Sequence, residues 1–424
     1  MAADIRLELR DAILATLRRM DRINQDTIRA ATDEVCRHTE EQRRIRLDPA
    51  LRASIAADIL DDVLGLGPIQ ALMDDPYVTE IMVNGPDQIY VERGGVKSKT
   101  DLRFRDLAHL RRAVERMVMP TGRRVDESMP YADFALENGA RVNVIMPPLA
   151  VDGPTVTIRK FLQSIRSIHD LVGLGTLDAR MAHFMEACIR ARINMLFSGA
   201  TGSGKTTTIE VLSAAIDPRE RVITIEDTPE LSLRQEHVVR LVCRQANSEG
   251  RGEIPIRVLV RNSLRMRPTR IILGEVRGEE AMDYLQAQTS GHRGCLAVLH
   301  ASSPRDALTR LETMALYAGL NLPSWAIRQQ IASGLQLIVQ HEQLNDGRRV
   351  ITHLTEVTGF SEGDISLRDI FEFEVEGAAE GRMTGGKFVA KGVPGFFPLF
   401  RQRGVPLDPQ LFAPAVLSSE SVRP

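Results

Sequence analysis

Aromatic residues make up only 4% of this 424-residue chain, with a single tryptophan. That scarcity argues against a nucleic-acid track, which needs stacking platforms beside basic groups. Formal net charge is −2, so the chain as a whole is not a basic nucleic-acid binder either. There are four cysteines, Cys36, Cys188, Cys243 and Cys295. No two have metal-ligand or redox spacing, so they read as small core residues of a reduced, cytosolic protein. No apolar run approaches the roughly 18 residues that a bilayer span needs. The N-terminus opens straight into a charged amphipathic helix, and no signal peptide is expected. Lysine is rare too: Lys97, Lys99, Lys160, Lys205, Lys387 and Lys391 are all there are. What remains is ordinary for a globular protein, 43% hydrophobic and 26% charged.

Hydrophobic spacing divides the chain. Residues 1–64 read as helices over 1–20, 24–46 and 49–64, the second polar and charge-mixed, a solvated face or a partner-binding arm. Gly65-Leu66-Gly67-Pro68 breaks the pattern. Residues 65–160 read as a small α/β domain. Its strands are expected at Val78–Val83, Gln88–Glu92, Tyr131–Leu136, Ala140–Ile145 and Thr155–Arg159, with a helix over 106–119. A linker is expected over 161–176. From 177 to 360 strands and helices alternate, with strands at Ile193–Ser198, Arg221–Glu226, His237–Val242, Arg270–Gly274 and Cys295–Leu299. Such alternation implies a mostly parallel sheet covered by helices, an α/β fold. Residues 361–424 form a C-terminal segment rich in Gly, Pro and Phe.

The second half contains Gly199-Ala200-Thr201-Gly202-Ser203-Gly204-Lys205-Thr206, a complete P-loop followed by Thr207. Glycines let the backbone curl so that its amides point inward, and the helix starting near Lys205 adds its positive end. Lys205 is expected on the β- and γ-phosphates, and the Thr206 hydroxyl on magnesium. The apolar run Ile193–Phe197 enters the loop and an amphipathic helix leaves it, which is the context the motif requires.

Three further signals follow. Arg270–Glu275 is an apolar strand ending in Gly274-Glu275, as in a Walker B element with its aspartate replaced. Glu275 either serves magnesium and water or is a surface strand end, and Arg277, Glu279 and Glu280 read as a solvated helix start. Thr224–Glu230 places Glu226, Asp227 and Glu230 after a buried strand, either a general-base cluster or an acid-rich helix start. Gly291-His292-Arg293-Gly294 and His300 offer histidines that report on a γ-phosphate, or plain core and surface histidines.

Taken in order, these blocks resemble the type II/type IV secretion ATPase superfamily. The blocks are the P-loop, Ile225–Glu230, Leu264-Arg265-Met266-Arg267-Pro268, Ile272–Gly278, and Gly291-His292 through Leu299–Leu308. Within the superfamily the chain looks most like the branch that powers tight-adherence (Tad or Flp) pili. Gly67-Pro68-Ile69 through Val83-Asn84-Gly85, Thr157–Phe161 and Asp346-Gly347-Arg348-Arg349 through Glu356 carry that likeness. The resemblance covers about 65–375. It departs at Ser302, where asparagine is commoner, and at Cys295.

The resemblance implies a homo-hexamer of subunits with a small (PAS-like) N-terminal domain and a RecA-like domain, nucleotide sitting between them. ATP and Mg2+ would be the cofactors, and inner-membrane pilus platform proteins the partners. The protein would be cytoplasmic and peripheral to the membrane through those partners, with no nucleic-acid partner. Glu230 would be the catalytic base, supported by Glu226 and Asp227. Glu275 would be the acid near the metal, and His292 and His300 the histidine box. An arginine from the N-terminal domain would reach the nucleotide: Arg159 first, then Arg123 and Arg124. Arg240 and Arg244 would help to close the site. A type IV secretion traffic ATPase moving protein or DNA, a RecA-like DNA-binding ATPase, a P-loop kinase and a non-hydrolysing scaffold are the competing readings.

Overall fold

The computed structural model describes residues 2–20, 23–160, 165–244, 246, 251–375, 378–379, 382–383 and 385–413. They form two compact units, 1–162 and 163–424.

The first unit opens with three helices, α1 (Ala2–Leu17), α2 (Gln25–Arg43) and α3 (Pro49–Val63). The second and third start where the sequence supplies a cap. Asn24 and Thr27 form a capping box, and Asp48 caps α3 ahead of Pro49. The polar second helix is more than a solvated arm. Its Ile28, Ala31 and Cys36 are buried with Leu9, Ile13 and Leu17 of α1 and Ile55 and Ile59 of α3. Helix period places those few apolar residues on one stripe, and the three stripes close a small core.

After the short α4 (Gln70–Asp74) comes a six-stranded antiparallel sheet. Its strands are β1 (Val78–Asn84), β2 (Ile89–Arg93), β3 (Val96–Lys99), β4 (Tyr131–Ala135), β5 (Arg141–Ile145) and β6 (Thr155–Arg159), in the order β3-β2-β1-β6-β5-β4. β3 escaped the sequence reading because all four of its residues are exposed and show no alternation. Helix α5 (Leu107–Val118), capped by Asp106, buries Leu110, Val114 and Met117 in the same core as Ile81, Val83 and Val156.

The second unit begins with α6 (Ile168–Gly173), closed by a Ser167/Asp170 capping box. The expected linker therefore contains a helical turn, whose Ile168 and Leu171 are buried; residues 161–164 lie outside the described residues. Next come α7 (Ala179–Arg190), β7 (Met195–Gly199), α8 (Lys205–Ser213), β8 (Val222–Glu226), β9 (Val238–Val242), α9 (Ile256–Ser263) and β10 (Arg270–Leu273). Then follow α10 (Glu280–Thr289), β11 (Leu296–Leu299), α11 (Pro304–Leu316) and α12 (Ser324–Gly334). β12 (Leu337–Gln343), β13 (Arg349–Ser361), β14 (Asp364–Val375) and the strand Gly386–Ala390 complete a nine-stranded sheet.

From the Gly386–Ala390 edge its order is β14, β13, β12, β7, β11, β10, β8, β9. The six strands from β12 to β9 are parallel; β13, β14 and Gly386–Ala390 add antiparallel pairs. The mostly parallel expectation is thus met where crossover helices connect the strands and not where hairpins do. β7 and β8 are wholly buried. That is why their sequences are continuous apolar runs rather than alternating ones. Separate cores cover the two faces, one around Met181, Phe184, Phe197 and Leu212, the other around Ile225, Leu273, Tyr284 and Leu311. The Phe-rich C-terminal segment belongs to the first of these: Phe400 and Phe412 lie 6.1 and 5.3 Å from the Phe184 ring.

Candidate functional site

Four parallel neighbours, β7, β11, β10 and β8, end at one edge of the sheet, and each delivers a polar group there. Open parallel sheets place chemistry at this carboxyl edge because all the strands point toward it.

β7 runs into the P-loop. Gly199, Gly202 and Gly204 have φ values of 146°, 77° and 98°, conformations that an L side chain resists. At Gly199 a β-carbon would also sit well inside van der Waals distance of the His341 carbonyl on β12. The Ser203 hydroxyl bonds the Ala200 carbonyl at 2.8 Å and braces the curl. Lys205 is buried, and its ammonium donates to the carbonyls of Gly199 at 2.8 Å and Ala200 at 2.6 Å. It is thereby held at the loop's centre. Thr201, Thr206 and Thr207 occupy the lip and first turn, with Thr206 Oγ1 3.5 Å from Glu230 Oε2.

β11 delivers His300. Its Nδ1 lies 3.2 Å from the Gly199 carbonyl oxygen and 3.4 Å from Lys205 Nζ. Its Nε2 lies 3.2 Å from Glu275 Oε1, at the end of the adjacent β10. Glu275 in turn pairs with Arg277 at 2.5 Å, and Arg277 stands 3.8 Å from Asp227, which follows β8. Lys205, His300, Glu275, Arg277 and Asp227 thus form one line of contacts in strand order. Burial alone would raise the Glu275 carboxyl. Hydrogen bonds and charge from His300 and Arg277 outweigh it and hold the group at about 2.

The acidic box divides by role. Glu226 is buried, and its Oε1 accepts the backbone amides of Glu230 and Leu231, both at 2.8 Å. It shapes the turn that returns Glu230 to Thr206. Gly274 has no side chain because a β-carbon there would stand 2.8 Å from Glu226 Cγ. Glu230 itself is partly exposed beside the P-loop helix.

Other expected site residues of the second unit are not brought to this edge. His292 lies before β11, at the opposite end of the strand that carries His300, so the two histidines of the box do not meet within one chain. Arg240 sits on edge strand β9, four strands from β7 and about 19 Å away at normal strand spacing. Arg244 donates to the Gly252 carbonyl at 2.5 Å. In the first unit Arg159 pairs with Glu80 at 3.0 Å, Arg123 bonds the Asp133 carbonyl and Arg124 pairs with Asp126.

Three groups escaped the reading. Arg277 is exposed, as a solvated residue would be, but it also clamps Glu275. Its companions are also engaged: Glu280 is buried and accepts the amides of Arg277 and Gly278, and Glu279 pairs with Arg257. Arg349 of β13 donates to the Gly202 carbonyl at 2.7 Å. Its only signal was its place in the block Asp346–Arg349. His341, buried beneath the loop, is lowered to about 3 by burial and by the Lys205 charge. The strand pairing that puts it there cannot be seen in the sequence.

The fit to a nucleotide rests on the cradle. Strained glycines leave room for a phosphate chain, and a buried lysine and a helix start face it. Among the described residues no group of three or more His, Cys, Asp and Glu could hold a metal. Magnesium needs no such cage, because phosphate oxygens, one hydroxyl and one or two carboxylates suffice. Thr206 and Glu275, with Glu230 nearby, are oxygen donors of that kind.

Comparison with known proteins agrees. Residues 62–355 match the family described as Type II/IV secretion system protein. The chain belongs to this secretion ATPase family. It is 33% identical over 299 residues to a putative conjugal transfer protein of Mycobacterium tuberculosis, covering 69% of this chain and 84% of that one. It is 31% identical over 324 residues to the type IV secretion system protein VirB11 of Brucella suis, covering 69% and 88%. Among solved structures, the VirB11 ATPase of Brucella suis in complex with sulphate aligns at 28% identity with a TM-score of 0.37, covering 68% of this chain and 94% of that one. The pilus retraction motor PilT with bound ADP aligns at 18% identity with a TM-score of 0.47, covering 82% and 86%.

Proposed function

We propose that this chain is the ATP-hydrolysing subunit of a hexameric motor that drives assembly of a Tad/Flp-type pilus at the inner membrane. The convergence of Lys205, Thr206, Glu230, Glu275 and His300 at one sheet edge carries the hydrolytic part of this reading. Lys205 and the loop amides hold the β- and γ-phosphates. Thr206 and Glu275 would hold magnesium, which when bound would supply charge neutralisation on the phosphates. Glu230 takes a proton from water as the water oxygen bonds to the γ-phosphorus. The bond from that phosphorus to the β–γ bridging oxygen breaks, and ADP leaves. Glu226 sets the turn that aims Glu230. His300, touching both Lys205 and Glu275, senses the change of charge on the phosphate. Arg159, Arg123 and Arg124 are proposed on the resemblance alone as arginines needed for turnover.

The pilus assignment rests on the blocks at 67–85, 157–161 and 346–356. A second reading, a type IV secretion traffic ATPase, is favoured by the VirB11 relatives. Phosphate release by purified chain tests the enzyme: it should be Mg-dependent and lost in Lys205→Ala. Wild-type turnover in that variant would overturn the site. Deletion in the host separates the pathways. Loss of surface pili with transfer intact supports the pilus motor, and loss of protein or DNA transfer supports the traffic ATPase.

A further inference from the structure

The edge of the nine-stranded sheet opposite the P-loop carries a second concentration of charge, which the proposed hydrolysis does not use. A cleft of about 740 Å³ opens there. Five arginines line it: Arg192, Arg219, Arg221, Arg267 and Arg293. His237 and His292 line it as well, and no carboxylate does. The arginines come from four separate turns. Arg192 precedes β7, Arg219 and Arg221 precede β8, Arg267 precedes β10 and Arg293 precedes β11. They converge because those strands are parallel neighbours, so the turns feeding them meet at one edge.

A purely structural cluster would be balanced by acids, and this one is balanced only in part. Arg192 pairs with Glu220 at 3.2 Å and Arg219 with Asp217 at 2.6 Å. Glu220 is already shared with the buried Arg270 at 3.1 Å. Arg221 bonds the Met266 carbonyl and places its Nη1 2.7 Å from His237 Nε2. Arg267 and Arg293 are exposed and make no hydrogen bond or ion pair among the described residues. Arg192 and Arg267 are held in left-handed backbone, at φ 54° and 53°, where a large side chain is costly. The uncompensated field is felt nearby. Burial, then the charges of Arg293 and Arg192, push the Arg403 guanidinium below its usual value.

We propose that this cleft binds a multiply phosphorylated small molecule, at a site separate from the P-loop. Guanidinium forks match phosphate oxygens two at a time, and the two free forks of Arg267 and Arg293, beside three partly engaged ones in one concavity, suit a chain of phosphates. The volume falls within the range of small-ligand pockets. A nucleic-acid strand would call for a continuous track with aromatic platforms, and no Phe, Tyr or Trp lines the cleft.

The test uses the full chain carrying Lys205→Ala, so that the P-loop contributes little. It is titrated calorimetrically with inorganic tripolyphosphate, and separately with ATP, at about 0.15 M salt. One equivalent of tripolyphosphate should bind. Affinity should fall at least about tenfold when Arg267→Gly and Arg293→Ser are added, which removes two charge-assisted contacts. Both substitutions abandon side chains without partners, and glycine suits the φ of Arg267, so the melting temperature should hold. Tighter binding of ATP than of tripolyphosphate would show that the ligand includes a nucleoside, and equal binding that the phosphate chain suffices. No saturable binding, or affinity unchanged in the double variant, overturns the proposal. So does salt-sensitive binding of a single-stranded oligonucleotide that tripolyphosphate cannot displace.

Discussion

Glu230 and Glu275 are both glutamates at the carboxyl edge of the sheet, yet their surroundings differ. Glu275 is clamped by His300 and Arg277 and stays ionised far below neutral pH. Glu230 has the P-loop threonine beside it and is partly open to solvent. Glu230→Gln should lower kcat by about 10²- to 10⁴-fold while nucleotide binding persists, the signature of a lost base. Phosphate-release kinetics beside a nucleotide titration would show it, and an equal loss in both would assign Glu230 to binding. Glu210 on α8 provides a pH prediction. Burial raises its carboxyl to about 7, against a usual 4.5, and the nearby Glu226 charge adds to the rise; the Ser232 amide opposes it. The folded state therefore holds this proton more tightly than the unfolded chain. Its contribution is complete below about pH 4.5 and fades as pH rises through about 7. Glu210→Gln, a mimic of the protonated form, should flatten that part of the stability profile. The gain at pH 8 should be on the order of 2 kcal/mol, read from denaturant midpoints.

Elements position these residues through close approaches that tolerate no bulk. β7 and β12 run parallel, and Gly199 faces His341 across that pairing. Gly199→Ala should cost roughly 3 kcal/mol of stability by combining a backbone clash with an unfavourable φ. Calorimetry of the whole chain would record the loss, and an unshifted melting temperature would mean the loop yields more easily than its geometry implies. At the other end of the sheet Arg270 is fully buried. It donates to Glu220, to the Gly294 carbonyl at 3.0 Å and to the Ile189 carbonyl at 3.0 Å. It ties the start of β10 to the turn before β11 and to the end of α7. Arg270→Ala should destabilise by about 3–5 kcal/mol, because Glu220 and two carbonyls would lose their buried partner. The Glu220→Gln/Arg270→Met pair should recover part of that loss.

At the scale of the whole molecule the proposed motor needs six copies. Native mass measurement should give a six-chain species with ATP and magnesium, in parallel with phosphate release. Lys205→Ala should abolish release without altering the number of chains in the nucleotide-free species. A monomer that turns over ATP at the same rate at every protein concentration would remove the ring from the proposal. No helix among the described residues is long and apolar enough to cross a membrane, so coupling to a membrane platform is proposed to run through surface contacts.

Much of the fold was legible along the chain, because the signals that define it are local. The breaker at 65–68, the P-loop glycines and the apolar runs of β7, β8, β10 and β11 each act over a few neighbouring residues. The strands read from 193 to 299 accordingly fall within a residue or two of those in the structure. The P-loop, Glu275, the acidic box and His300 were legible as candidate site residues for the same reason. Strand order was not. Only the sequence β7-β11-β10-β8 decides that Lys205 meets His300, that His300 meets Glu275, and that His292 is carried to the far edge. It also turns Glu226 into a brace, Arg277 into a clamp, and five arginines scattered from 192 to 293 into one cleft. Contacts between residues a hundred positions apart are set by which strands lie side by side, and no spacing along the chain encodes that choice.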